Sequence, residues 1–386
     1  MPISPLLAPC KEKEFLELRT GFCRLLQTNY GFTGFDIPEK VMIECNKRSL
    51  LDAVDRGGRI IIPEKCTIDL GSDYANLKNN TVIEGVDILT TKITCSGTTA
   101  FKLDHVTNVI IHNLTIDGLN DHQNATGCRN LIYLAGDVNN ILIERVQLLN
   151  ALLKSTGGET HVHSSSHVTI RYSWLENSWQ CHGIGLDDGF TNVAYYSNYI
   201  AHVGLAGSGD SCVGYGIDSH ASRAEIAGNI IEKNESGMKL PDAHDVLVHH
   251  NYIEGGSKFP GIRSYEDQES GSGQAPYRQI YYDNYIDASG GYSFRFANKA
   301  YDIFLAGNLY TTGQALVRIE DKASSVYVCK DSADAALRSS PSGRLKVAAG
   351  TLLSFTDSGM NEFDPCKMRL QKYKIYLPDI KRNKQK

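Results

Sequence analysis

Residues 215–220 read Tyr-Gly-Ile-Asp-Ser-His. A phenol, a carboxylate and an imidazole thus fall within six residues of a strand-like stretch, and these are groups that move protons. Side chains alternate along a strand, so if Ile217 points inward, Asp218 and His220 share the outward face. Similar stretches recur downstream: SGMKLPD from residue 236, PGIRSYE from 260, YSFRFAN from 292 and ALVRIED from 315. In these the place of Asp218 is taken by Lys239, Arg263, Arg295 and Arg318. Upstream, HGIGLDD from 182 supplies Gly185, and THVHS from 160 supplies His163. The next outward column carries Asp187, His220, Tyr265 and Glu320.

Like charges directly opposite one another destabilise a sheet. Four successive cations therefore suggest a groove for an extended polyanion, to which arginine binds bidentately. The structural alternative is a solvated face with offset ion pairs to Asp242, Glu266 and Glu320. If the ligand is a uronic-acid polysaccharide, β-elimination or inversion at C5 begins with loss of the proton α to the carboxylate. That step needs the carboxylate neutralised, a base and an acid. Arg263 or Lys239 suits the first task. His220, Lys239 or a tyrosine suits the second, with a lowered pKa expected for a lysine among cations. Tyr215 or Tyr265 suits the third. The catalytic set is accordingly Tyr215, Asp218, His220, Lys239 and Arg263, with Asp187, Asp188, Tyr265, Arg295, Arg318 and His163 as substrate-binding residues. A rival chemistry is glycoside hydrolysis on Asp187, Asp188 and Asp218, since paired carboxylates serve glycosidases. Asp188-Gly189 is equally a turn signal.

Such columns require a repeating scaffold. Short β-branched and aromatic runs recur from residue 108 to 310, and five end on an asparagine before the last apolar pair: Asn198, Asn229, Asn251, Asn284 and Asn308. Two or three short strands per repeat, Gly or Asn at corners and no helical pattern between them indicate a parallel β-helix. The asparagines are expected to stack as an internal ladder. Residues 48–330 form this solenoid. Residues 1–47, with FLELRTGFCRLLQ at helical spacing, read as a helical N-terminal cap, and 331–386 as a C-terminal cap with a basic tail. Three polar, glycine-rich insertions, around residues 115–130, 202–214 and 266–279, read as walls of a cleft.

The 386 residues carry a formal charge of −5 and are 41% hydrophobic. That balance argues against nucleic acid as a partner, and no run is long enough for a membrane span. No secretory signal is evident, which leaves a cytoplasmic, virion-associated or non-classically exported protein. The ten cysteines contain no CxxC pair, so a zinc site is not expected and buried free thiols are. The sequons at Asn79, Asn113, Asn124 and Asn234 then carry little meaning.

Two resemblances sharpen these readings. The segment from SLLDAVDRGGRIIIP onward resembles the first coils of the pectate-lyase-like superfamily of right-handed β-helices, which implies an all-β right-handed solenoid over residues 48–330. Tyr215-Gly216-Ile217-Asp218-Ser219-His220 is similar to the YGxDPH motif of mannuronan C5-epimerases, in which the tyrosine, aspartate and histidine are catalytic. Ser219 replaces the proline, and Ala221 stands where an aspartate or threonine is usual. Lys239 and Arg263, on adjacent coils, are similar to the base and acid of the chondroitinase B and alginate lyase family. That family's acidic calcium cluster is not evident, so no metal site is assigned, although calcium remains compatible with the fold. The NTD and RIK signatures of polygalacturonases are missing. The resemblances imply a lyase or C5-epimerase of an acidic glycan such as alginate. A non-catalytic tailspike-like glycan binder is the other class, and the chain is expected to be a monomer or trimer.

Overall fold

The computed structural model describes residues 30–345, apart from 121–126, 152–153, 160–163, 180, 205–212, 255–259, 268–273, 288–291, 307, 311–316, 321–322, 330–337 and 340–343. Its strands pair in parallel within two sheets, as the repeat predicts. In the smaller sheet, Ile184–Leu186, Tyr215–Ser219, Ser236–Lys239, Ile262–Tyr265, Phe294–Ala297 and Val317–Ile319 stack one per coil. The larger sheet holds the runs ending on the asparagines.

Burial of an apolar column sets the register, because a slip of one residue would turn every inward side chain to solvent. Ile184, Ile217, Met238, Ile262, Phe294 and Val317 pair in succession, and all are buried. One coil departs from expectation. The strand before Ile184–Leu186 is Lys154–Glu159, not THVHS, and it pairs Thr156 with Ile184 and Gly157 with Gly185. Thr156 and Gly157 therefore hold this coil's inward and outward places, and His163, read into the outward column, lies outside the described residues. Gly157-Gly158 carries little intrinsic strand preference, so a pattern reading passes over it for the β-branched THV.

The asparagine ladder is continuous. The Nδ2 atoms of Asn198, Asn229, Asn251 and Asn284 each donate to the Oδ1 of the next ladder asparagine, at 2.9–3.0 Å. Backbone N–H groups donate to the same oxygens. The residues just before them, Ser197, His250 and Asp283, adopt left-handed backbone at φ 50–53°, which is costly for non-glycine residues. The amides hold that corner together. Replacing Asn251 by alanine strips partners from Asn229 and Asn284 at once. It is expected to destabilise the chain by roughly 2–4 kcal/mol, taking 1–3 for each buried group left unpaired, measurable by chemical denaturation.

Helix Lys47–Arg56 packs against strands Arg59–Ile62 and Ala75–Leu77. Asn46 caps it by accepting from the Ser49 N–H, and Leu50, Ala53 and Val54 are its buried face. The sequence FLELRTGFCRLLQ lies outside the described residues. Coil pairing starts before residue 48, with Lys40–Met42 on Arg59–Ile62, and runs past 330 to Arg344–Leu345.

The free-thiol expectation is overturned. Cys45–Cys66 and Cys95–Cys128 are disulfides, separated by 21 and 33 residues, and Cys181 is also disulfide-bonded. The separations are about one coil each. Stacking places such residues 5.5 Å apart at Cα, within the span a disulfide bridges.

Candidate active site

Just before four of these inward residues of the smaller sheet lies a glycine: Gly183, Gly216, Gly237 and Gly261. A Cβ at Gly216 would sit 2.4 Å from Ile231 Cγ2, and one at Gly237 equally near Ile253 Cγ2. These glycines press inward against the isoleucines of the opposite wall. The chain therefore turns twice inward, at Gly216 and Ile217, and strict alternation fails there. Tyr215 swings outward as a result, and Arg263 Nη1 donates to its hydroxyl at 3.4 Å. His182 holds the same position one coil earlier. Its ring lies 5.7 Å from that of Tyr215.

Asp218 is the hub. It is buried, with His182 Nε2 3.0 Å and Lys239 Nζ 3.4 Å from Oδ2, and His220 Nε2 3.8 Å from Oδ1. Burial raises its pKa, but His182, Lys239 and His220 more than reverse that and hold the carboxyl well below the usual carboxylate range. His220 is gripped from its other side. Its Nδ1 lies 3.2 Å from Asp188 Oδ1 and 3.6 Å from Asp242 Oδ2. Asp242 reaches it from a left-handed corner at φ 53°, where its Oδ1 also accepts from the Asp267 N–H at 2.8 Å. Burial disfavours the charged ring, yet Asp188, Asp242 and Asp218 outweigh it and push His220 up to about 9.

Lys239 corrects the sequence reading. It neighbours cations along the column, but its ammonium faces carboxylates, Asp218 and Asp267 at 3.1 Å. Against burial, Asp218, Tyr265 and Asp267 raise its pKa rather than lower it, so it is a fixed cation and no base. Burial pushes Tyr265 up to about 12, opposed by Lys239 and Arg263.

The column Asp218, Lys239, Arg263, Arg295 and Arg318 is in register on one wall. Its cations are not equivalent. Arg295 and Arg318 both pair with Glu320, Arg295 Nε at 2.6 Å, so two of the predicted substrate binders are spent on an internal carboxylate. Arg263 stacks over the Tyr265 ring at 4.0 Å. Its buried Nε has no hydrogen-bond partner, and among the described residues no carboxylate lies within ion-pair distance. Asp187 ends its strand beside Asp188, half-buried. Of the three insertions read as cleft walls, residues 121–126, 205–212 and 268–273 lie outside the described residues.

The geometry thus brings together Tyr215, Asp218, His220, Lys239, Arg263, Asp188 and Tyr265. The sequence reading missed His182. Aligning HGIGLDD beneath YGIDSHA would have found it, since histidine and tyrosine precede the same glycine. Asp188, His220 and Asp242 place one donor atom each within 4.8 Å of one another. Two carboxylates and one imidazole suit a borderline transition ion better than calcium, which prefers oxygen ligands. The same two carboxylates favour the protonated form of His220.

No protein-family model and no curated protein sequence matches the chain. Solved structures do. The A-module of the mannuronan C-5 epimerase AlgE4 of Azotobacter vinelandii superposes with a TM-score of 0.51 at 12% identity, over 80% of this chain and 95% of that one. The chain has the parallel β-helix fold. The Streptococcus pneumoniae surface protein and adhesin PfbA superposes with a TM-score of 0.54 at 14% identity, over 80% of this chain and 99% of that one. The enzymatically active domain of bacteriophage CBA120 tailspike protein 2 gives 0.56 at 13% identity, over 72% of this chain and 44% of that one.

Proposed function

We propose that this β-helix protein is an enzyme of acidic polysaccharides that abstracts the C5 proton of a uronic acid, as a lyase or a C5-epimerase. The observation that carries the reading is the wall itself. A histidine enclosed by carboxylates, a tyrosine and an arginine with no carboxylate partner among the described residues converge on one stretch of three coils. The epimerase-like structure is consistent with it through fold alone.

In this reading Arg263 takes the substrate carboxylate, with Lys239 adding positive potential. As the C5–H bond breaks, its electron pair is delocalised into that carboxylate, and the two cations stabilise the charge. His220 enters carrying a proton and so acts as the donor. It protonates the departing glycosidic oxygen in a lyase, or C5 from the opposite face in an epimerase. Tyr215 is left to accept the C5 proton, for which it must enter as the phenolate, its own proton already given to solvent, with Arg263 beside its oxygen to stabilise that charge. The sequence reading allows a tyrosine as the base but casts Tyr215 or Tyr265, not His220, as the acid. His182 and Asp218 position the pair. The pH dependence follows: activity holds while His220 is protonated and falls as pH rises through about 9. A rise over the same interval would instead make His220 the base.

The hydrolase reading keeps only Asp187 as a candidate acid. A glycosidase needs one carboxyl kept protonated, whereas Asp218 is held ionised and Asp188 balances His220. Among binding-only readings, the tailspike and adhesin structures share the fold, and a glycan bound without turnover would select that class. We further propose that no metal is required. Dialysis against a chelator should leave activity and melting temperature unchanged, and a zinc- or manganese-dependent gain in either would contradict this.

The disulfides lead us to propose an oxidising compartment in place of a reducing cytoplasm. The two loops closed, with separations of 21 and 33 residues, are worth about 3.5 kcal/mol each in the chain-entropy account. Reduction should therefore lower the melting temperature by several degrees, and an unchanged value would remove the argument.

A further inference from the structure

Upstream of Asp218 the outward column carries no side chain of its own for two coils, because Gly157 pairs with Gly185 and Gly185 with Asp218. The gap is filled from elsewhere. A Cβ at Gly185 would lie 2.8 Å from Lys154 Cδ, 2.9 Å from Cε and 3.2 Å from Nζ, and one at Gly157 would lie 2.8 Å from Lys154 Cδ. The lysine stem therefore lies flat across both glycines, along the solenoid axis. Its ammonium sits over Gly185, one coil from Asp218. Any larger residue at either glycine would displace it.

Most cations of this wall have internal partners: Lys102 with Asp104, Lys239 with Asp218 and Asp267, Arg295 and Arg318 with Glu320. Among the described side chains in or over the column, Lys154 and Arg263 have no carboxylate within ion-pair distance. They bracket the reactive group. From Gly185 through Asp218 and Lys239 to Arg263 is three coil steps, about 14 Å at ~4.8 Å per step. Those two backbones lie further apart than one sugar ring spans.

We propose that Lys154 is a second carboxylate-binding subsite. It takes a uronate further along the same chain whose reacting unit sits on Arg263, so that the acidic glycan runs along the solenoid axis. The methylene stem offers an apolar floor for a sugar face, and the ammonium a charge-assisted hydrogen bond to the carboxylate. The placement rests on the reading of Arg263 given above.

The test is calorimetric binding of a hexauronate, its carboxyl-reduced counterpart and a single uronate to the wild type and to Lys154→Ala, Lys154→Arg and Gly185→Val. Lys154→Ala should weaken the hexauronate about tenfold, as loss of one such contact does, and leave the reduced hexamer and the monomer unchanged. Lys154→Arg should restore most of the affinity. Gly185→Val should reproduce the loss with the lysine intact. In turnover assays KM should rise by the same factor, with kcat unchanged. An unaltered hexauronate affinity in Lys154→Ala overturns the subsite, as does an equal loss for the reduced hexamer. Lys154-dependent binding without turnover would keep the subsite and reject the chemistry. Turnover indifferent to Lys154 would do the reverse, and no hexauronate binding by the wild type would reject both.

Discussion

Replacing His220 by glutamine should lower turnover of an acidic glycan by roughly 10²–10⁴-fold, the span that one general acid or base supplies. The effect should fall on kcat, because the neutral amide fills a similar volume but carries no proton to give. The same change should also cost stability. His220 is the cation that Asp188 and Asp242 enclose, and its removal leaves two carboxylates facing each other. The sign with pH is fixed by the raised value. The stabilisation is fully present below the unfolded value near 6.5 and is lost as pH rises through about 9. Denaturation of wild type and His220→Gln should therefore differ most at neutral and mildly acidic pH and converge in alkali. A constant difference would show that His220 carries no native-state proton. Unchanged kcat in a folded variant would remove it from the reaction.

The second large effect belongs to Arg263. Arg263→Met should reduce kcat/KM by about 10²–10³-fold, comparable to deleting one preorganised donor to a developing oxyanion. Stability should scarcely change, because no internal carboxylate is left unpaired. Arg295→Met makes the contrast, since it strips a partner from buried Glu320. It should destabilise the fold while leaving the chemistry nearly intact. Lysine at position 263 should rescue only part of the activity, because it cannot reproduce the planar fork. Equal kinetic losses at both positions would mean that pairing does not separate functional from structural cations.

Those two positions show what could be read from the sequence. The inward column and the ladder Asn198 to Asn308 were legible because each repeats at coil spacing and depends on strand alternation alone. The Asp218, Lys239 and Arg263 column followed from the same alignment. What escaped it depends on the third dimension. Tyr215 and His182 face outward only because stacked glycines break alternation just behind them. Asp242 joins His220 only because a left-handed corner turns its carboxylate back. Lys239 was misjudged by counting cations along the column and overlooking Asp267. The cysteine pairs were within reach, since their separations are about one coil, but the free-thiol reading rests on the lack of an evident secretory signal.

The most direct test of the central claim, that this wall removes a C5 proton from a uronate, is incubation of a uronan panel with the protein in deuterium oxide. Product would be followed by nuclear magnetic resonance and by the ultraviolet absorbance of an unsaturated uronate. The account predicts deuterium at C5 for an epimerase or the unsaturated product for a lyase, abolished in His220→Gln. New reducing ends with neither signal would contradict it.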